Sequence, residues 1–455
     1  MRRADPTAPD RSLPDILART LLEDWVAAVR LFLLRLGADA ERLARWQGLP
    51  ALRSIASLTT AASEVHGSAG AVIRLRFVGG LTIFYKPRRV TGESLWAEWN
   101  AAVAEVDEEI SVPTARVLAG GLVDRGGPGA SALPSYGWME NLARGSCAEK
   151  VHWQRAGALL CLAHLVGLSD LHMSNVVATA GGPAVLDAEC LGGVISSRHW
   201  QDSGAEDVQG SLLATGLLPN AERWGAFQLP DVSGLFGGAA PVPGVLLPCW
   251  TGSQAEIREL RFVPARLLEQ RNRPSRTLQP LLALPEILSG YARATLALLG
   301  IRPHLLRRGG WVDRFETQHS PRVVLRSTLS YGLMLSRSLL AERLPSEEIR
   351  QGMLRSELER ASLDAGIPTH AGILEDELQA LLRLRVPSFH LAAGTRDMVA
   401  EGGRVLVRDA ASHTPANAIR HRLKGLGRNG MEETVKAELA SILFRARRAG
   451  NVIPR

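Results

Sequence analysis

Asp170, Asn175 and Asp187 are the residue types, at the spacing, that phosphoryl transfer to an alcohol requires. The stretch Leu165-Val166-Gly167-Leu168-Ser169-Asp170-Leu171-His172-Met173-Ser174-Asn175 places an Asn five positions after an Asp. Ala184-Val185-Leu186-Asp187-Ala188-Glu189 then ends an apolar run on a second acid. The chemistry needs one carboxylate beside the attacking hydroxyl. It also needs an amide oxygen and a second carboxylate that share a divalent ion bridging the ATP phosphates. Asp170 suits the first role; Asn175 and Asp187 suit the second. Asp-x-x-x-x-Asn alone is common by chance, so its weight depends on the elements around it.

Those elements follow the order of a protein kinase. Ile55 to Thr60 reads as a strand, and Glu64-Val65-His66-Gly67-Ser68-Ala69-Gly70 as a small-residue loop. Ala71 to Phe77 alternates as a strand, Val78-Gly79-Gly80 turns the chain, and Leu81 to Lys86 is a further strand. In a kinase amino-terminal lobe the loop, here with Gly67 and Gly70, covers the phosphates, and the strand-end lysine, here Lys86, reaches them. The loop lacks the Gly-x-Gly-x-x-Gly pattern, and a solvated strand-end lysine is the competing reading of Lys86. A helix from about Glu93 to Glu105, with Leu95, Trp99, Val103 and Val106 on one side, makes Glu98 the candidate partner of Lys86; a solvated acid is the alternative. Thr114 to Asp124 suggests a hairpin, and Ser135 to Glu140 a last strand and hinge. Val151 to Val166 predicts a helix that delivers the chain to Asp170, with His172 inside the loop. Val176 to Ala178, the turn Gly181-Gly182-Pro183 and Val185-Leu186 predict a hairpin that returns Asp187 to Asn175.

The predicted fold class is α+β: a bilobal kinase-like fold with an antiparallel β N-lobe, a largely helical C-lobe and extra helices at both ends. The expected units are a helical segment 1–50, an N-lobe 51–142, a C-lobe 143–320, and a helical extension 321–455. Leu17, Leu21, Trp25, Ala28 and Phe32 share one face of an N-terminal helix over 12–46, capped by Ser12 with Asp15; Trp25 and Trp46 are expected at the core or its boundary. Gly234 to Pro248 reads as loop, Arg258 to Leu299 as mostly helical, and Met431 to Arg448 as a final amphipathic helix.

Of 455 residues, nearly half are apolar, and the formal charge is +7, with the arginines scattered. Diffuse positive charge suits an anionic ligand such as ATP or an acidic peptide. No aromatic-interleaved basic block supports nucleic acid. Cys147, Cys161, Cys190 and Cys249 form no Cys-x-x-Cys pair, which argues against a disulfide framework and a thiolate zinc site. The N-terminus lacks a signal-peptide pattern, and the apolar run Val29 to Leu36 is broken by Arg30 and Arg35, so neither export nor a membrane span is expected. A cytoplasmic location is the default.

Taken together, these residues resemble the dehydratase domain of class II lanthipeptide synthetases of the LanM type. Tyr85-Lys86-Pro87-Arg88 is similar to that family's Tyr-Lys-Pro-Arg, and Glu64-x-His66 stands where it has Asp-x-His. Asp170-Leu171-His172 with Asn175 resembles Asp-x-His-x-x-Asn, and Asp187-Ala188-Glu189 resembles Asp-x-Glu. Tyr136 to Glu140, Leu217-Leu218-Pro219 and Asp231 to Leu235 match further stretches. Arg322-x-x-x-Arg326-x-Thr328-x-x-Tyr331 resembles Arg-x-x-x-Arg-x-Thr-x-x-Tyr, and Val386-Pro387-Ser388-Phe389 resembles Ile-Pro-Tyr-Phe, with Arg385 in place of the usual preceding acid. The resemblance covers roughly residues 50 to 450.

It implies ATP-dependent phosphorylation of Ser or Thr in a ribosomally made precursor peptide carrying a leader. Phosphate is then eliminated to leave dehydroalanine or dehydrobutyrine. It assigns Asn175, Asp187 and Glu189 to magnesium, and Arg322 and Thr328 to elimination, assisted by His66. A zinc-dependent cyclase domain has no counterpart here, so no zinc is expected and cyclisation would fall to a separate maturation enzyme. The segment before Lys86 is shorter than in full synthetases, which bears on leader binding. A kinase alone, of peptides or small molecules, and a non-catalytic pseudokinase scaffold are the rivals. Arg322 and Thr328 speak against the first; Lys86, Asp170, Asn175 and Asp187 speak against the second.

Overall fold

The computed structural model describes residues 12–60, 70–121, 136–193, 211–219, 223–224, 227–228, 231–237, 241–253, 256–266, 280–340, 346–364, 370–427 and 431–448. The chain opens with α1 (Leu13–Trp46). Strands β1 (Ile55–Thr60), β2 (Ile73–Phe77) and β3 (Thr82–Lys86) follow, then α2 (Thr91–Ala104), β4 (Val117–Ala119) and β5 (Gly137–Glu140). The five strands form one antiparallel sheet in the order β1-β2-β3-β5-β4. The expected hinge strand β5 thus lies between β3 and β4, with Lys86 opposite Gly137. A side chain at Gly137 would strike Val90, so only glycine lets the chain leave β3 toward α2 at that height.

α1 covers this sheet. Phe32 and Leu43 join Leu75, Phe77, Ile83, Tyr85, Tyr136 and Trp138 in a small aromatic-rich core. The face of α1 differs from the predicted one. Leu17 and Phe32 are buried, but Leu21 is exposed and Trp25 is 62% exposed, because the helix packs on the sheet only through its C-terminal half. Ser12 does not cap the backbone; its hydroxyl bonds the Asp15 carboxylate at 2.6 Å instead.

α3 (Glu149–Val166) is apolar nearly all round and is the axis of the main core. Strands β6 (Val176–Thr179) and β7 (Gly182–Val185) form the expected hairpin after it. Helices Leu284–Leu306, Trp311–Gln318, Pro415–Gly425 and Met431–Arg448 complete that core. Gly157 and Gly290 let α3 and Leu284–Leu306 touch backbone to backbone, since a Cβ at either would fall within 2 Å of a carbonyl oxygen.

Two expectations fail. Pro241–Ser253 and Glu256–Arg266 pair as a long antiparallel hairpin, not as loop and helix. The apolar positions Ile257, Leu260 and Phe262 follow neither a two-residue nor a clean helical period, so no strand pattern announced the hairpin. The 321–455 segment is mixed rather than helical. It holds a four-stranded antiparallel sheet of Arg322–Val323, Phe389–Leu391, Met398–Ala400 and Val405–Val407 beside helices Thr328–Ser338, Glu347–Asp364 and Ala371–Leu382. Its last two helices return to the core around α3. Among the described residues no helix is long and apolar enough to cross a membrane.

Candidate active site

Lys86 ends β3 with its ammonium buried. Nζ donates to Glu93 Oε1 at 2.7 Å, to the Leu186 carbonyl at 2.8 Å and to Asp187 Oδ2 at 3.4 Å. Its helix partner is therefore Glu93, not Glu98. Glu93 lies in the first turn of α2, where a negative charge favours the helix dipole. Glu98 is five residues on, about 140° round the helix, and pairs with Arg314 at 2.7 Å on the surface. Gly92 makes the approach possible. A side chain there would meet the Ala188 carbonyl oxygen at 2.3 Å, so α2 can press its first turn against the Asp187–Glu189 bend.

Arg88 is the other cation of the motif. Its guanidinium contacts Asp187 Oδ1 at 2.5 Å, Glu93 Oε1 at 2.6 Å and Glu189 Oε2 at 2.8 Å. Burial alone would push Asp187 up, but Arg88 and Lys86 outweigh it and hold its carboxyl far below the usual range. Glu93 is lowered against burial by Arg88 and Lys86, and Glu189 by Arg88 and Arg322.

Asp170 follows α3 after Gly167, whose φ of 66° closes the helix; Asp170 itself has φ 62°. A non-glycine residue in that region is strained unless its surroundings fix it. They do so here. Leu171 N–H donates to the Thr215 carbonyl at 3.0 Å and Met173 N–H to the Val232 carbonyl at 2.7 Å. Gly234 is bonded in turn to Gly216, and a Cβ at Gly234 would lie 2.2 Å from the Leu171 oxygen. Residues 215–216 and 232–234 thus buttress the loop, and Leu235 N–H bonds the Leu217 carbonyl behind them. Asn175 donates its amide to the Asp170 carbonyl at 2.9 Å, and its nitrogen lies 3.2 Å from His172 Nε2. Leu186 N–H bonds the Asn175 carbonyl at 2.8 Å, which ties the Asp170 loop to Asp187. Burial, with Glu189 and Asp187 nearby and despite Arg322, pushes the Asp170 carboxyl up to about 7.

Arg322 arrives from far along the chain. Its backbone N–H donates to the Glu189 carbonyl at 3.0 Å, and its Nη1 pairs with Glu189 Oε1. Gly193 is required for that crossing, since a Cβ would meet the Arg322 carbonyl oxygen at 2.3 Å. Glu189 is the link: one oxygen takes Arg88 and the other Arg322. Ligand atoms of Asp170, Glu189 and Cys190 lie within 4.8 Å of one another.

The cluster thus brings together Lys86, Asp170, His172, Asn175, Asp187, Glu189 and Arg322. Thr328 opens the helix Thr328–Ser338, and among the described residues no hydrogen bond joins it to the cluster. Gly70, at φ +92°, lies against Ala28 of α1, while His66 and Gly67 fall outside the described residues. Sequence reasoning missed Glu93, Arg88 and His390. His390 pairs across the sheet with Arg322, bonds Ser388 Oγ at 3.1 Å, and is held below its usual range by burial. The Arg88 signal was present in Tyr-Lys-Pro-Arg, but nothing local announced His390. The oxygen donors Asp170, Asp187 and Glu189 suit a hard cation such as magnesium, and the Arg88 guanidinium already stands among Glu93, Asp187 and Glu189 as a cation.

The profile of a family described as a domain of unknown function, DUF4135, matches residues 13–392. The lacticin 481/lactococcin biosynthesis protein LcnDR2 of Lactococcus lactis subsp. lactis is 20% identical over 320 residues, 67% of this chain and 33% of that protein. The chain therefore spans about a third of the length of this curated relative.

Proposed function

Because the chain belongs to the DUF4135 family, a family associated with LanM-type lanthipeptide synthetases, we propose that it dehydrates Ser and Thr of a ribosomally made precursor peptide in lanthipeptide biosynthesis. It does so by phosphorylation and then elimination within a kinase-like bilobal fold. The observation that carries this reading is the double use of Glu189. Through it the phosphoryl-transfer set of Lys86, Asp170, Asn175 and Asp187 is continuous with Arg322, which phosphoryl transfer alone does not need.

In the first half-reaction Asp170 receives the hydrogen bond of the substrate hydroxyl and orients it. Lys86, braced by Glu93, faces the nucleotide phosphates. Asn175 and Asp187, with Glu189, would hold magnesium. Bound ATP supplies the phosphoryl group, and the metal spreads its charge. In the second half-reaction the Cα proton is removed, its electron pair forms the Cα=Cβ bond, and the Cβ–O bond breaks with phosphate leaving. Arg322 suits the leaving phosphate because a guanidinium has five donors in a planar fork, more than one carboxylate uses. Thr328 and His66 are assigned to this half by family resemblance.

The test is precursor peptide with ATP and magnesium, read by mass spectrometry. Loss of one water per modified residue supports dehydration. Accumulated phosphopeptide indicates a kinase alone, and an unchanged mass a scaffold.

A further inference from the structure

We propose that Arg88 holds the place of the divalent cation in the nucleotide-free protein, so that the metal enters only together with a polyphosphate, to which Arg88 then transfers. This rests on the phosphotransfer reading and adds an order of binding to it. Arg88 contacts Asp187, Glu93 and Glu189 at once, at 2.5 to 2.8 Å. Two of these three carboxylates are the ones assigned to magnesium.

The two cations on Asp187 differ in freedom. The Lys86 side chain is 3% exposed and also bound to the Leu186 carbonyl, whereas that of Arg88 is 23% exposed and can swing outward. The contacts left to Arg88 decide what can replace it. Arg88 shares Glu93 and Asp187 with Lys86 and shares Glu189 with Arg322, and Asp170 lies beside Glu189. A bare divalent ion that displaced Arg88 would take its three carboxylate contacts and offer the guanidinium nothing in exchange. A metal–triphosphate complex carries net negative charge and offers Arg88 phosphate oxygens in exchange, a match for its planar fork.

Manganese is a suitable probe, with free Mn2+ followed by electron paramagnetic resonance and no peptide present. In the wild type a non-hydrolysable ATP analogue should tighten Mn2+ binding by at least about tenfold. Arg88→Gln should bind Mn2+ alone at least about tenfold more tightly than the wild type and lose most of the coupling. Arg88→Gln binding Mn2+ no more tightly than wild type overturns the inference, as does wild-type affinity indifferent to the analogue. The wild-type arm decides alone if the variant does not fold by circular dichroism. Failure of the wild type to bind the Mn2+–analogue pair at all is a different result, since it removes the phosphotransfer reading itself.

Discussion

Arg322 and Arg326 stand four residues apart in one motif, and each is paired with a glutamate, yet their surroundings differ. The Arg326–Glu377 side chains are 5% and 1% exposed, and the pair is closed off by Tyr331 Oη and Ser362 Oγ, each a hydrogen-bond partner within it. It joins helices Thr328–Ser338, Glu347–Asp364 and Ala371–Leu382. The Arg322–Glu189 pair, 8% and 16% exposed, is open to further charges: Arg88 shares Glu189, and Asp170 lies beside it. One pair is enclosed and can only hold structure. The other has donors and acceptors in excess and can exchange partners with a substrate. A motif read from sequence thus mixes chemistry and scaffold, and burial away from other charges separates the two.

The largest expected effect tests the open pair. Arg322→Ala should slow elimination by about a thousandfold or more, with phosphopeptide accumulating in the mass spectrum while phosphorylation persists. If that variant dehydrates normally, Arg322 belongs with Arg326 as scaffold and the contrast fails.

The sealed pair should respond in stability instead. Glu377→Ala strands the buried Arg326 and should cost about 3–5 kcal/mol, read from the denaturant midpoint. Replacing both partners, Arg326→Met with Glu377→Leu, should recover most of that loss. Glu189→Ala should cost clearly less, because Arg88 keeps Asp187 and Glu93 and Arg322 keeps the Asp170 carboxylate beside it. Equal losses at Glu377 and Glu189 would erase the distinction between the two networks.

Asp170 gives a pH test of the open region. Its folded carboxyl is raised to about 7 from an ordinary 3.8, so the native state binds more protons than the unfolded one between those values. The contribution to stability is therefore full below pH 3.8 and is lost as pH rises toward 7. Asp170→Asn should flatten that fall in the melting temperature; an unchanged slope would place the titration elsewhere.

What the sequence made legible was local. The Asp170-to-Asn175 spacing, the β6–β7 turn and the Lys86 strand end are short-range patterns, and the structure joins them directly. Glu93 was missed for Glu98 because helix phase depends on where α2 begins, at Thr91, and on Gly92 allowing contact with Ala188. Arg322 was reached only through family resemblance, since 133 residues separate it from Glu189. Glu377 and His390 carried no local pattern at all. The exposed Leu21 and Trp25 show the same limit: a helical stripe says which residues share a face, not how much of the helix has something to cover it.

The smallest expected effect lies at a third arginine–acid pair. Arg385 stands where the family pattern has an acid, and here it grips Asp24 of α1 through two bonds of 2.6 and 3.0 Å. That contact ties the N-terminal half of α1 to the segment leading into Phe389–Leu391. Its side chains are 18% and 33% exposed, so water competes and salt screens. Arg385→Glu should cost about 0.2–1 kcal/mol, and adding Asp24→Lys should restore part of it, both read from denaturant midpoints at low salt. The loss should shrink in high salt, whereas that of Glu377→Ala should persist. A salt-insensitive loss of several kcal/mol at Arg385 would mean that burial does not rank these pairs, and the contrast between Arg322 and Arg326 would lose its physical basis.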